Sequence, residues 1–226
     1  MAAQPTPVRS VLLAGATGLI GTELLAQLQA EPRVGALHVL VRRAPPPGWA
    51  SPRVVVHTVD FAALPAPMVA VNDVYIALGT TIGVAGSQAA FRQVDFDHVV
   101  QVARAARAAG ASRLAVVSAM GADSNSRIFY NRVKGDMQDA IAHLGYESVV
   151  IAQPALLAGN RTALGQPVRS GEVWGLRVMH ALRGVIPMQW RPIAAATVAR
   201  AMVQATLRGE PGVHVLSSAR MQSPAQ

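Results

Sequence analysis

A tyrosine and a lysine stand four residues apart in the segment Tyr130-Asn131-Arg132-Val133-Lys134. Residues at this spacing share one face of a helix. A tyrosine hydroxyl is a weak acid, with a reference pKa of about 10, and a cation beside it favours the phenolate. Such a tyrosine can give a proton to a carbonyl oxygen or remove one. Because Lys134 is the only lysine in 226 residues, we interpret the pair as catalytic and in contact with a cofactor ribose. The alternative is a lysine on a solvated helix surface.

A serine precedes this pair by 12 residues. Ser118 follows the apolar run at 114–117, which has the composition of a buried strand. A hydroxyl at the end of such a strand can hold the oxygen of a substrate carbonyl, so Ser118 is our third catalytic candidate. Ser124 and Ser126 lie closer to Tyr130 and are rivals for this role. A structural role for Ser118, as the cap of a turn or helix, is the alternative.

Three glycines follow the first apolar run in the pattern Gly15-x-x-Gly18-x-x-Gly21. In a strand–turn–helix context, such glycines permit a tight turn, a close approach of the backbone to a pyrophosphate, and helix packing. The unpaired N–H groups and the positive end of the helix dipole then face the phosphates. The pattern lacks the lysine of a phosphate-binding P-loop. We predict a dinucleotide site; a turn that binds nothing is the alternative.

The residues after the second apolar run indicate which dinucleotide. An acidic residue there would bind the ribose 2′-OH of NAD, but the sequence has Arg42 and Arg43. Guanidinium groups suit a 2′-phosphate through charge-assisted hydrogen bonds, so we predict NADP(H) in preference to NAD(H). Asp60, followed by Phe61, could accept a hydrogen bond from the adenine amino group; a turn-forming aspartate is the alternative.

Short apolar runs alternate with segments of helical periodicity along the chain. The strand candidates cover residues 10–14, 37–41, 54–60, 74–78, 114–117, 149–151 and 213–216. One helix candidate begins after residue 19, and the others cover about 99–110, 129–144, 172–183 and 194–207. Continuous apolar strands separated by helices favour a parallel sheet covered on both faces. We predict an α/β fold with a Rossmann-type, doubly wound parallel sheet, helices on both faces and a small C-terminal cap.

The chain is expected to form one domain over residues 1–226, in which about 154–212 form the cap on the substrate side. Trp174, Met179, Trp190 and Arg191 could line the substrate pocket there, or simply pack within the cap. A monomer and a homodimer both remain open.

Composition excludes several other classes of protein. Hydrophobic residues make up 51% and charged residues 14%, which argues against disorder. The absence of cysteine excludes disulfides and thiolate metal sites, and the scattered histidines give no metal-ligand spacing. We interpret the polar cluster at 95–98 as part of a helix surface.

The net charge of +8 comes from dispersed arginines, so we expect no specific nucleic-acid binding. With no signal peptide and no long apolar run, we expect a cytoplasmic protein without a membrane span.

Taken together, the glycine turn, Ser118 and the Tyr130/Lys134 pair resemble the short-chain dehydrogenase/reductase superfamily. The segments 73–81, 85–87, 94–95 and 118–123 are similar to its atypical, short branch, which includes the Tat-interacting oxidoreductase-like protein and bacterial proteins named NAD(P)-dependent epimerase/dehydratase-like. The resemblance covers about residues 9–217. It implies a Rossmann fold with a cofactor bound by Gly15, Thr17, Gly18, Leu19, Ile20, Arg42, Arg43, Asp60, Phe61, Leu78, Gly79, Thr80, Tyr130, Lys134, Pro154 and Leu156, and a catalytic group of Ser118, Tyr130 and Lys134.

The expected function is an NADPH-dependent oxidoreductase that transfers a hydride to a small carbonyl substrate, with Tyr130 as acid/base. The alternative is an NADP(H)-binding sensor or regulatory protein without significant turnover. Two departures from the family pattern concern the substrate end of the site. Gln153 stands before Pro154 where relatives commonly have arginine, and Ala119 follows Ser118 where some have a second serine.

Overall fold

The computed structural model describes residues 8–45, 49, 51–158 and 187–223. Seven strands form one sheet: β1 (Arg9–Ala14), β2 (Val34–Val41), β3 (Val54–Thr58), β4 (Asp73–Ile76), β5 (Arg113–Val117), β6 (Ser148–Gln153) and β9 (Gly212–Ser217). Their order across the sheet is β3-β2-β1-β4-β5-β6-β9, and each neighbouring pair is parallel. The predicted Rossmann-type sheet is therefore confirmed.

Helices cover both faces of this sheet because each central strand is apolar on both sides. In β1, Val11 and Leu13 face one core, while Leu12 and Ala14 face the other. The first core contains the apolar faces of α1 (Leu19–Ala30) and α6 (Ala195–Arg208), and the second contains those of α4 (His98–Ala108) and α5 (Phe129–Ala142). Parallel strands buried on both faces in this way have continuous apolar sequences.

The segment between β4 and α4 is more helical than its sequence indicates. It forms α2 (Ile82–Ala85), α3 (Gln88–Arg92) and a π-helical turn, Gln93–Asp97, that leads directly into α4. Thr81 and Ser87 cap α2 and α3 by accepting hydrogen bonds from backbone N–H groups three residues on. Asp95 lies within the π-helical turn and is 1% exposed.

The predicted cap is only partly described. The helix expected at 172–183, together with Trp174 and Met179, lies outside the described residues. On either side of that gap, β7 (Leu157–Ala158) pairs with β8 (Ile193–Ala194) in parallel, and a 3₁₀ turn, Met188–Trp190, precedes β8. The chain then passes through α6 and β9 into α7 (Ser218–Gln222). None of the helices described is long and apolar enough to cross a membrane.

Candidate active site at the carboxyl ends of the strands

A cleft of about 1360 Å³ opens at the carboxyl edge of the sheet. Residues that follow β1, β2, β4, β5 and β6 line it. The strand order reverses between β1 and β4, since β2 lies on one side of β1 and β4 on the other. Crevices at such a reversal are where open α/β sheets bind ligands.

The glycine turn forms one wall of the cleft. Gly15 has a φ of +90°, and a Cβ on it would lie 2.5 Å from the Ala77 carbonyl group. A Cβ on Gly21 would lie only 1.9 Å from the Gly15 carbonyl oxygen, so both positions require glycine. No side chain caps the N-terminus of α1, where Gly18 is the N-cap residue. The first N–H groups of α1 are therefore available to an anion in the cleft.

The predicted contacts in this turn share the same wall. Thr17, Leu19 and Ile20 line the cleft with Gly15 and Gly18. Thr17 is exposed, whereas Ile20 is buried between α1 and the sheet. Gly15 and Gly18 have no side chains that would keep a pyrophosphate from the backbone of this turn.

Two exposed arginines stand at the far end of the cleft. Arg42 and Arg43 follow β2 and line the opening, and among the described residues no ion pair involves either. Beside them, Phe61 is buried and its ring lies 6.0 Å from that of His98. Burial lowers the pKa of His98 and so disfavours the charged form of its ring.

Asp60 is the one predicted contact at this end that the structure does not bring to the cleft. It is exposed, and its Oδ1 accepts a hydrogen bond from the Ala62 N–H at 2.8 Å. That geometry matches the alternative of a turn-forming aspartate. Phe61, the next residue, does line the cleft.

The three catalytic candidates meet at the other end of the cleft. Ser118, Tyr130 and Lys134 all line it, although they come from the end of β5 and two turns of α5. The ring of Tyr130 packs at 5.4 Å from that of Phe91 on α3. Neither Ser124 nor Ser126 lines the cleft, so the structure favours Ser118 among the rival serines.

Lys134 is buried and forms an ion pair that the sequence analysis missed. Its Nζ lies 2.8 Å from Asp95 Oδ1, and Asp95 Oδ2 accepts a hydrogen bond from the Thr80 N–H at 2.8 Å. Asp95 thereby connects the loop after β4 to α5. Our interpretation of residues 95–98 as helix-surface polarity is wrong for Asp95, because this residue lies four positions before the buried Val99, on the inner side of the helical segment, and pairs there with Lys134.

The loop after β4 passes directly over this ion pair. Leu78, Gly79 and Thr80 line the cleft as expected. A Cβ on Gly79 would lie 3.3 Å from Asp95 Oδ1 and 4.0 Å from Lys134 Nζ. A side chain at this position would therefore narrow access to the pair. Pro154 and Leu156, after β6, complete the opposite wall.

Of the cap residues that we singled out, the two that the structure describes do not line the cleft. Trp190 is 53% exposed in the 3₁₀ turn, and neither it nor Arg191 lines the cleft. Within the described ranges, no group of three or more histidine, aspartate or glutamate side chains could hold a metal ion.

Comparisons with known proteins agree with this fold. A family described as NAD(P)H-binding matches residues 15–162. Among solved structures, MoeE5 in complex with UDP-glucose and NAD superposes with a TM-score of 0.69 at 17% identity, covering 92% of this chain and 75% of that one. This likeness shows that the two proteins share a fold.

Curated relatives include the "Protein fmp52, mitochondrial" of two fungi. The Emericella nidulans protein is 33% identical over 159 residues, which are 67% of this chain and 68% of the relative. The Aspergillus fumigatus protein is 31% identical over 214 residues, 90% of this chain and 89% of the relative. Because these relatives are named as mitochondrial, our expectation of a cytoplasmic protein is contradicted.

The family match covers the glycine turn, the arginines, Asp95 and all three catalytic candidates. The suspected relationship to NAD(P)-binding proteins of the Rossmann type is thus confirmed, with a fold typical of NAD(P)-dependent oxidoreductases and epimerases. The chain belongs to the NAD(P)H-binding family.

Proposed function

We propose that the protein is an NADPH-dependent oxidoreductase of the short-chain dehydrogenase/reductase type that reduces a small carbonyl compound. One observation carries the proposal: a single cleft has the glycine turn and two arginines at one end, and Ser118, Tyr130 and Lys134 at the other. A dinucleotide extended between these ends would bring its nicotinamide to the three polar side chains. A turn that only connected a strand to a helix would not need this second cluster.

The preference for NADPH rests on Arg42 and Arg43. Both are exposed at the end of β2, where the cofactor ribose lies in this fold. A 2′-phosphate would receive charge-assisted hydrogen bonds from guanidinium groups, whereas the two hydroxyls of NADH would offer them no negative charge. The uncapped N-terminus of α1 supports binding of the pyrophosphate.

The three side chains have separable roles in the proposed reaction. When bound, NADPH supplies a hydride to the carbonyl carbon. Tyr130 donates its phenolic proton to the carbonyl oxygen as negative charge develops there. Ser118 donates a hydrogen bond to the same oxygen and so stabilises that charge. Lys134 stabilises the resulting phenolate, and since Asp95 occupies one of its three N–H donors, two remain for the ribose hydroxyls.

The first experiment is a titration of the full chain with NADPH and with NADH, followed by nicotinamide fluorescence. We expect tighter binding of NADPH, and a weakening of NADPH alone in the Arg42→Ala/Arg43→Ala variant. Equal affinities for the two cofactors would refute the preference. Failure of both cofactors to bind would refute the whole proposal.

The second experiment measures NADPH oxidation with a panel of aldehydes and ketones. We expect turnover in the wild type and its loss in Tyr130→Phe, with the NADPH affinity retained because the aromatic ring remains. If the wild type binds NADPH but reduces no carbonyl, the protein is instead a sensor or regulatory protein that responds to the cofactor.

A further inference from the structure

Two glutamine side chains form a chain of hydrogen bonds that ends at Ser118. Gln138 Nε2 donates a hydrogen bond to Ser118 Oγ at 2.9 Å, and Gln153 Nε2 donates one to Gln138 Oε1 at 3.0 Å. The three side chains come from three elements: Ser118 follows β5, Gln138 lies on α5 and Gln153 ends β6. Ser118 is buried, and both glutamines are partly buried.

Gln138 continues the functional face of α5. Tyr130, Lys134 and Gln138 follow one another at intervals of four residues, so they lie along one side of the helix. Tyr130 and Lys134 reach the cleft directly. Gln138, one turn further on, reaches it only through Ser118.

The direction of these hydrogen bonds determines what the serine can do. A hydroxyl has one proton to donate and two lone pairs to accept with. Since the Gln138 N–H occupies a lone pair of Ser118 Oγ, the hydroxyl proton cannot point along this bond. It remains available to a carbonyl oxygen in the cleft.

Gln153 keeps the Gln138 amide from turning over. An amide rotated by 180° would present its carbonyl oxygen to Ser118 and would then accept the serine proton. The same rotation would bring the Gln138 NH₂ group against the NH₂ group of Gln153, where two donors would meet without an acceptor. The hydrogen bond from Gln153 to Gln138 Oε1 therefore disfavours rotation of Gln138 alone, because the Gln153 amide would have to turn with it.

We propose that Gln138 is a positioning residue that holds Ser118 as a hydrogen-bond donor to the substrate oxygen, and that Gln153 fixes the orientation of Gln138. The inference rests on the proposed reductase function. It assigns a role to the glutamine that stands before Pro154, where we noted a departure from the family pattern.

The test compares steady-state kinetics of Ser118→Ala, Gln138→Met and the double variant, each as the full chain with NADPH and the best aldehyde or ketone of the panel. Methionine matches the length of glutamine without its hydrogen bonds. We expect Gln138→Met to lower kcat about 10-fold, as the loss of one hydrogen bond of about 1.4 kcal/mol would, with little change in KM or in the Kd of NADPH. Ser118→Ala should lower kcat by about 10²- to 10³-fold.

The double variant distinguishes positioning from general damage. If Gln138 acts only through Ser118, Gln138→Met has no further effect once Ser118 is alanine. Losses in kcat that multiply, or a matching loss of NADPH affinity, would overturn the proposal. A control is Gln27→Met, which removes a hydrogen bond from a glutamine side chain of α1 to the Ala196 carbonyl and should leave kcat unchanged.

Gln153→Met provides a second variant, should Gln138→Met fold poorly. It leaves the bond to Ser118 possible but removes the group that fixes its direction, so we expect kcat to fall about 3-fold, less than for Gln138→Met. An unchanged kcat in this variant would overturn the role of Gln153. A wild type that binds NADPH without reducing any carbonyl would instead refute the reductase function, and this inference with it.

Discussion

Removing one charge of the buried ion pair between Asp95 and Lys134 should destabilise the protein. Removing both charges should recover most of the lost free energy of unfolding. Asp95 is 1% and Lys134 5% exposed in their side chains, and the two charged atoms are 2.8 Å apart. Asp95→Asn keeps an acceptor for the Thr80 N–H but leaves the lysine charge unpaired. Lys134→Met leaves the carboxylate unpaired instead.

The expected magnitude follows from this separation and burial. At 2.8 Å and an effective dielectric constant of about 20, the attraction is about 6 kcal/mol. Transferring each charge out of water costs several kcal/mol, so the intact pair contributes little net stability. A single variant loses the attraction and retains one desolvated charge, which lowers the free energy of unfolding by about 3–5 kcal/mol. The double variant, with both charges removed, should lose far less than the sum of the two.

Urea unfolding, followed by tryptophan fluorescence, measures the free energy of unfolding of the wild type, the two single variants and the double variant. The control is Arg92→Met, because the ion pair of Arg92 with Asp136 has a similar distance of 2.7 Å but side chains that are 41% and 26% exposed. We expect it to cost at most about 1 kcal/mol. If the losses of stability add up in the double variant, or if the single variants are as stable as the control, the two charges do not compensate each other and the reasoning is refuted. The double variant should also bind NADPH weakly although it is folded, which separates the role of Lys134 in the cleft from its role in stability.

Three further changes test the turn, the sheet edge and the core. Gly21→Ala should lower the free energy of unfolding by about 1–3 kcal/mol and weaken NADPH binding, because its Cβ would lie 1.9 Å from the Gly15 carbonyl oxygen; unchanged urea unfolding and NADPH affinity would contradict this. Burial and the neighbouring His57, whose ring nitrogen is 3.0 Å away, lower the pKa of His38 from 6.5. The folded state therefore binds a proton at His38 less readily than the unfolded state does. As a result, the free energy of unfolding falls as the pH decreases below about 6.5. Thermal unfolding between pH 5 and pH 8 should accordingly depend less on pH in His38→Asn. Tyr146→Phe should cost about 1–2 kcal/mol in urea, since the buried tyrosine hydroxyl donates a hydrogen bond to a carbonyl of α4, and a variant of wild-type stability would show that this bond contributes nothing.

Much of the fold could be predicted because its signals are local. The run at 114–117 is apolar throughout, and β5 differs from it by one residue at its start. The helix expected at 129–144 ends only two residues earlier, at Ala142. Parallel strands buried on both faces and amphipathic helices leave this kind of record in the sequence. The pairings of β1 with β2, of β4 with β5 and of β5 with β6 follow from the connections, since each crossover through a helix returns the chain to a parallel neighbour. The pairing of β4 with β1 does not, because β3 precedes β4 in the chain and lies at the edge of the sheet.

The polar contacts within the site could not be predicted in the same way. Asp95 was interpreted as part of a polar helix surface, and nothing in the sequence indicated the π-helical turn or the buried ion pair with Lys134. Asp60 was expected near adenine because it stands at the end of the third predicted strand. Its side chain instead forms a hydrogen bond within its own turn, a competition that residue type alone does not decide.

Both ends of the cleft depend on the same property of the fold, because parallel strands bring residues distant in sequence to one edge of the sheet. Tyr130 and Lys134 lie on one helix, so their spacing alone could identify them. Their partners, Asp95 and Ser118, come from other elements and become part of the site only when the sheet is assembled. The arginines can be tested by cofactor binding alone, whereas Ser118 and Tyr130 require turnover. A protein that passes the first test and fails the second would have the Rossmann cleft of a reductase, but its Ser118–Tyr130–Lys134 cluster would serve to bind the cofactor without catalysis.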